Sequence, residues 1–247
     1  MNLLITNLVT ELVIANRILA NEDVVDAYGH VSIRNPEAPD RFFLAHSKSP
    51  ALVEADDIVE HTLDGQAAKP EKRPLYLERF IHAAIYEARP EVMAVVHAHA
   101  EDVLPFTITQ PALRPVIHSG AFIGAEVPVW DIADKFGDRT NLLVTDIAQG
   151  RDLAKRLGAN NVALMRGHGF AAAARSLIDV VRMSVYLPRN ARVQFKAMQL
   201  GDMKPLSNGE IQARSAGPGY KPQSPETQRA WQYWAQRAGC AHLLKSA

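Results

Sequence analysis

The chain has 247 residues, 47% hydrophobic and 22% charged, and its 27 Lys and Arg balance 27 Asp and Glu to a formal net charge of +0. That composition suits one α/β domain with a sizeable core, and it carries neither a disorder signature nor the basic excess that non-specific binding to nucleic acid or an anionic membrane requires. A single cysteine, Cys240, excludes an intramolecular disulfide framework and thiolate-rich zinc sites, so a bound metal would rely on carboxylates and on some of the nine histidines.

Residues 3–19 space apolar side chains three or four apart, at Leu4, Leu8, Leu12, Ala15 and Leu19, which predicts an amphipathic helix. No Lys or Arg precedes them as in a signal peptide, and no apolar run reaches the ~18–20 residues that span a bilayer, so the expectation is a soluble, cytoplasmic protein with no membrane partner. Residues 31–34 and 42–44, divided by Pro36, Pro39 and Asp40, predict a hairpin; Ser49-Pro50 opens a short turn, and residues 58–63 predict a strand that stops at the turn pair Asp64-Gly65. A helix is expected over 75–88, ended by Pro90, and then a buried strand over 92–96 that leads straight into His97-Ala98-His99. Beyond it come a short helix near 101–107, a Pro-punctuated stretch to Val129 and a helix over 147–157. Two strands follow, 161–165 and 170–174, joined across Arg166-Gly167-His168-Gly169, and a long helix over 176–200 contains Pro188. Residues 201–226, rich in Gly, Pro and Ser, read as an arm, and 227–244 as a last helix bearing aromatic residues. The organisation is one α/β domain over 1–200 and a C-terminal arm and helix over 201–247, packed on that domain or on a neighbouring subunit.

His97 and His99 stand two apart at a strand end, and the two-residue period of a strand puts both on one face. A catalytic divalent ion takes three protein ligands and keeps an open position, and His168, in its Gly-flanked turn, is the best third. Glu78, on the helix before the His97 strand, can return to the same point as a fourth ligand or a base. On spacing alone the histidine pair is either a metal pair or two unrelated residues, and Glu78 either a ligand or a solvated helix glutamate. His82 is assigned a structural role, and His61 and His242 a place on the surface.

Leu77-Glu78-Arg79-Phe80-Ile81-His82, then Arg89-Pro90, Ala94-Val95-Val96-His97-Ala98-His99-Ala100 and Leu164-Met165-Arg166-Gly167-His168-Gly169 follow one another in an order that resembles the class II aldolase/adducin family over about residues 5–200. Gly29-His30-Val31-Ser32-Ile33-Arg34 resembles that family's Gly-Asn-x-Ser-x-Arg turn. The resemblance implies a three-layer α/β/α sandwich around a mainly antiparallel central sheet, assembled as a homotetramer with its sites between subunits. It implies His97, His99 and His168 as ligands of one divalent ion per subunit (Zn, Mn, Co or Fe), with Glu78 as an acid/base residue that can also take the fourth position.

Sugar-phosphate aldolases of the family hold a phosphate through the Asn of that turn and a Ser-Ser pair before the Glu; here those positions are His30, Tyr76 and Leu77, and Ser119 follows His118 where those aldolases have a Tyr. Losing small donors and gaining a phenol and an isobutyl group disfavours a phosphate dianion and suits a flat or apolar substrate. The same departures resemble the family branch of 3-hydroxy-2-methylpyridine-4,5-dicarboxylate and dihydroxyphthalate decarboxylases. The implied activity is decarboxylation of a hydroxy-substituted aromatic or heteroaromatic acid, a small-molecule substrate, through a metal-stabilised enolate. His30, Ser47 and Lys48 would orient a carboxylate, carbon dioxide would leave, and Glu78 would protonate carbon. Tyr76 and His118 are further candidate substrate contacts. Tyr233 or Tyr220 is expected to close a neighbouring subunit's site, unless Trp231, Tyr233 and Trp234 simply pack the last helix. The competing expectations are an aldolase or epimerase of a sugar phosphate or hydroxy-carbonyl compound, and a non-catalytic adducin-like scaffold.

Overall fold

A computed structural model describes residues 3–216 and 221–244, so Tyr220 lies outside the described residues. Seven strands, β1 (His30–Arg34), β2 (Arg41–Ala45), β3 (Ile58–Thr62), β4 (Ala94–Ala98), β5 (Val129–Trp130), β6 (Val162–Met165) and β7 (Gly169–Ala174), form one sheet in the order β3-β2-β1-β4-β7-β6-β5. Every pairing is antiparallel except β5 with β6. The helices are α1 (Leu3–Asn21), α2 (Arg79–Ala88), α3 (Pro105–Ile108), α4 (Ala133–Phe136), α5 (Ile147–Leu157), α6 (Leu177–Leu200), α7 (Asn208–Ala216) and α8 (Pro225–Arg237).

The two-residue period of the strands divides the core into two layers. Ala94, Val96 and Ala98 of β4 and Phe170 and Ala172 of β7 pack with Leu12 of α1, Val181 of α6 and Trp231 and Trp234 of α8. Val95, Ala171 and Ala173 pack on the opposite face with Ile81 and Ile85 of α2 and Leu153 and Leu157 of α5. The sheet is therefore the middle of an α/β/α sandwich, and burial on both faces explains why the β4 segment reads as an unbroken apolar run. By the same alternation β1 turns Val31 and Ile33 toward the α1/α6/α8 layer and its polar residues, His30, Ser32 and Arg34, toward α2.

Several boundaries differ from expectation. α1 is apolar enough to qualify by length and composition as a membrane crossing, with a mean hydropathy of 1.6, contrary to the reading that no such run exists; half of that stretch is buried inside this fold. The helix expected over 75–88 starts only at Arg79, because the preceding residues are drawn out along the sheet: Leu75 bridges His46, and the Ser47 N–H donates to the Pro74 carbonyl at 2.8 Å. The arm contains α7, whose start is a reciprocal cap in which the Glu210 N–H donates to Ser207 Oγ (3.2 Å) and the Ser207 N–H to Glu210 Oε2 (2.7 Å). The last helix ends at Arg237 rather than near 244, with Gly239 beyond it in the left-handed region. Trp231 and Trp234 are buried against the chain's own core, whereas Tyr233 is exposed.

Candidate functional site

Glycine at two positions lets the backbone close around the site. A Cβ on Gly169 would lie 2.2 Å from the Ala98 carbonyl oxygen, so only glycine lets β7 start against the strand that carries His97. Gly29, with φ +89°, turns the chain into β1, where a Cβ would meet Val25 at 2.6 Å. His30 is then set directly opposite His97 in the β1–β4 register.

His168 stands in the tight turn between β6 and β7, where its N–H donates to the Met165 carbonyl at 3.0 Å. The turn is held from outside by the Gly167 N–H donating to Thr107 Oγ1 (3.0 Å) and by an Arg166–Asp131 ion pair. Glu78 is the N-cap residue of α2, not a residue on the helix body as expected, and this brings its buried carboxylate over the end of β4. The Val144 N–H donates to Glu78 Oε1 at 3.0 Å and leaves Oε2 free to turn to the histidines.

Four ligand atoms converge. His99 Nε2 lies 2.9 Å from His97 Nε2 and 3.1 Å from His168 Nε2. Glu78 Oε2 lies 3.2 Å from His97 Nε2 and 3.4 Å from His168 Nε2, and all four atoms fall within 4.8 Å of one another. Imidazole nitrogens and a carboxylate oxygen bound tetrahedrally at about 2.0–2.1 Å sit roughly 3.3 Å apart, so the spacing suits one divalent ion. His97 Nδ1 donates to the Phe170 carbonyl at 3.0 Å, which leaves the Nε2 lone pair for the common point. The residues present can hold a metal of the kind that class II aldolases use.

Electrostatics agree with that donor set. Burial alone would raise the Glu78 carboxyl, but His97 and His168 outweigh it and hold the group well below the usual carboxylate range. Burial, then the neighbouring His97 and His168, lowers His99 to about 3, so its imidazole is neutral and able to ligate.

The cluster opens into a cavity of about 540 Å³ whose wall includes His30, Ser47, Lys48, Tyr76, Leu77, Glu78, His99 and His168. Burial raises Tyr76 to about 12, and its hydroxyl donates to the Lys48 carbonyl. Lys48 is not a free cation: its Nζ lies 2.6 Å from Asp57 Oδ2, and His46 Nε2 lies 3.1 Å from Asp57 Oδ1. His118 and Tyr233 are not brought to this cavity within the chain. They line another, of about 630 Å³, with Tyr186, Arg189 and Trp234.

His242 is exposed as expected, but His61 is not a surface residue. Its ring is fully buried, stacks on Phe42 with centroids 5.1 Å apart, and places Nδ1 3.0 Å from the Val59 carbonyl. His82 is structural in being buried, yet its Nε2 lies 2.6 Å from Nδ1 of His30 in the cavity wall, and its Nδ1 lies 2.6 Å from Ser32 Oγ. Ser32 and Tyr86, which completes this chain at 2.8 Å, were not singled out from the sequence. A signal was present: polar residues alternate at His30, Ser32 and Arg34 of a doubly buried strand, and His82 and Tyr86 are one turn apart on the helix that covers them.

The sequence matches the Class II Aldolase and Adducin N-terminal domain family over residues 10–195. It is 42% identical over 195 residues to a protein named Decarboxylase tropJ from Talaromyces stipitatus, covering 74% of this chain and 73% of that one. It is 28% identical over 246 residues to a 3,4-dihydroxyphthalate decarboxylase from Arthrobacter keyseri, covering 92% of both. An aldolase II superfamily protein from Pseudomonas syringae superposes with a TM-score of 0.79 at 20% identity over 99% of this chain and 98% of that one. The chain belongs to the class II aldolase and adducin family, as an enzyme with decarboxylases among its relatives.

Proposed function

We propose that this member of the family is a divalent-metal-dependent carboxy-lyase acting on a hydroxy-substituted aromatic or heteroaromatic carboxylic acid. The observation that carries the reading is the convergence of three imidazole nitrogens and the Glu78 carboxylate at the floor of a cavity walled by His30, Tyr76 and Leu77. The relatives named decarboxylases support the choice of reaction. His97, His99 and His168 would hold the ion, with Glu78 able to take a further position. When bound, the ion supplies Lewis-acid stabilisation of the negative charge that develops on a substrate oxygen.

The chain's own residues do the proton work. Glu78, kept ionised at rest, takes the proton of the substrate hydroxyl and passes it to the ring carbon that bears the carboxylate. Protonation comes before loss of carbon dioxide. If carbon dioxide left the trigonal carbon first, the electron pair would lie in the ring plane, out of conjugation with the oxygen. From the protonated carbon the C–C bond breaks, carbon dioxide departs and the pair flows to the ring oxygen, so the net change replaces carboxylate by hydrogen. His30 donates to a carboxylate oxygen, while Tyr76 and Leu77 supply the flat and apolar walls. Ser47 contributes a hydroxyl at the rim. Lys48, held by Asp57, provides field rather than a direct ion pair.

Residues 1–200 form the catalytic unit and 201–247 its C-terminal arm, in a cytoplasmic homotetramer where His118 and Tyr233 meet a neighbouring subunit's cavity. What supports this is that Tyr233 is exposed and lines a cavity other than that of its own cluster. The test is to incubate zinc-, manganese-, cobalt- or iron-loaded protein with ortho-hydroxy aromatic carboxylates, 3,4-dihydroxyphthalate included, and with sugar phosphates. Carbon dioxide release from the first group is expected. Aldehyde release from the second, without carbon dioxide from the first, overturns the reading.

A further inference from the structure

A chain of four polar side chains runs from the cavity wall into the core: His30, His82, Ser32 and Tyr86. Ser32 and His82 are fully buried, Tyr86 is 1% exposed and His30 4%. The links are short, with His30 Nδ1 2.6 Å from His82 Nε2, His82 Nδ1 2.6 Å from Ser32 Oγ, and Ser32 Oγ 2.8 Å from Tyr86 Oη. Buried hydroxyls and imidazoles destabilise a fold unless each finds a partner, and an apolar strand under α2 would have been simpler to fold. Here all the linking atoms are paired with one another.

Counting protons gives the chain a direction. Each neutral imidazole and each hydroxyl has one proton to donate, so orienting one link orients all of them. At the buried end, Tyr86 Oη lies 2.8 Å from Ser32 Oγ, where either hydroxyl can donate, and 3.5 Å from the Met93 carbonyl, the limit of a hydrogen bond, so the relay assigns the Tyr86 proton to the shorter link. Ser32 then donates to His82 Nδ1, which makes His82 the Nε2–H tautomer, and His82 Nε2–H donates to His30 Nδ1. His30 is left with its proton on Nε2, the ring nitrogen not engaged by His82. Both rings are enclosed, His82 fully and His30 at 4% exposure, and the facing atoms of each link leave room for one proton between them.

We propose that Tyr86, Ser32 and His82 are positioning residues that form a one-way hydrogen-bond relay, fixing His30 as the Nε2–H tautomer and presenting a donor to an anionic oxygen of the substrate. That the oxygen is a carboxylate rests on the decarboxylase reading; the relay itself does not. The site thereby discriminates between a ring that carries a carboxylate and the same ring without one, because only the former supplies an anionic acceptor for a donor that cannot reverse.

Neutron diffraction from crystals of the full chain grown in D2O reads the tautomers directly. Deuterium is expected on Nε2 of both His30 and His82 and absent from both Nδ1 atoms; deuterium on His30 Nδ1 overturns the relay. Calorimetry on the zinc-loaded full chain, with 2,3-dihydroxybenzoate and catechol as probes, reads the consequence. Ser32→Ala is expected to weaken 2,3-dihydroxybenzoate roughly tenfold while leaving catechol within about twofold, and Ser32→Thr, which keeps the hydroxyl, to restore it. Tyr86→Phe removes the proton that orients Ser32 and is expected to weaken 2,3-dihydroxybenzoate by a smaller factor, roughly two- to fivefold, while leaving catechol within about twofold. Equal weakening of both probes by Ser32→Ala, or of neither, contradicts the proposal. Absence of carbon dioxide release from an enzyme with intact carboxylate preference and the expected tautomers would remove the decarboxylase reading and leave the relay standing.

Discussion

The histidine cluster and the relay are built from the same kinds of side chain and lie on neighbouring strands, β4 carrying His97 of the cluster and β1 carrying His30 and Ser32 of the relay, yet their atoms are arranged in opposite ways. In the cluster, Nε2 of His97, His99 and His168 and Oε2 of Glu78 all point at one another, with more acceptors than protons to fill them. In the relay each donor meets one acceptor, and the chain ends in the core. Convergent lone pairs without donors mark a place for a cation; serial pairing marks a device that holds one side chain still. Burial alone would not separate them, since His97 and His82 are equally enclosed.

Mutations that damage one region and spare the other would sharpen this contrast. The largest effect is expected for His97→Ala, which removes a ligand and leaves the Phe170 carbonyl without its donor: bound divalent metal and turnover should both fall by at least ~1,000-fold, measured by elemental analysis and carbon dioxide release. Glu78→Gln comes next. A Gln oxygen can still accept from the Val144 N–H, so the fold should be kept, but the group can no longer store a proton, and turnover should drop roughly 100- to 10,000-fold at near-normal folding by circular dichroism.

Another buried histidine, His61, lies outside both regions and tests burial by itself. His61 is lowered to about 4, by burial above all, so between that value and 6.5 the unfolded chain binds a proton that the folded chain excludes. Stability is therefore full above pH 6.5 and lost as pH falls toward 4, by up to about 3 kcal/mol for this residue. Denaturant midpoints at pH 7 and 4.5 should show a smaller loss in His61→Phe than in wild type; an equal loss would assign the acid sensitivity elsewhere. The smallest effect is expected for Tyr86→Phe, about 1–2 kcal/mol of stability and a roughly two- to fivefold loss in kcat/KM, read from urea unfolding beside steady-state rates.

Much of the His/Glu cluster is legible in the sequence because strand periodicity puts His97 and His99 on one face and the Gly-flanked turn singles out His168. Glu78 was found as a residue but misplaced on the helix, since the extended pairing of Leu75 that delays α2 depends on a bridge to His46, 29 positions earlier in the chain. Lys48 read as a direct contact for a substrate carboxylate because its partner, Asp57, belongs to a separate turn. The relay escaped because its donors alternate on β1 as the solvent face of an ordinary strand would, and only the position of α2 turns that face inward. β5 is two residues long and owes its pairing to β6, while α7 buries only Ile211 and was marked by its Ser207/Glu210 cap rather than by apolar spacing.

The central claim is that one divalent ion, held by His97, His99 and His168 beside Glu78, runs a decarboxylation. The most direct measurement strips the purified chain with a chelator and titrates a divalent ion back while following carbon dioxide from a carboxyl-labelled ortho-hydroxy aromatic acid. Turnover is expected to vanish on stripping and to return in proportion to added ion, saturating at one per chain. Undiminished release from protein shown by elemental analysis to be free of metal would contradict the account.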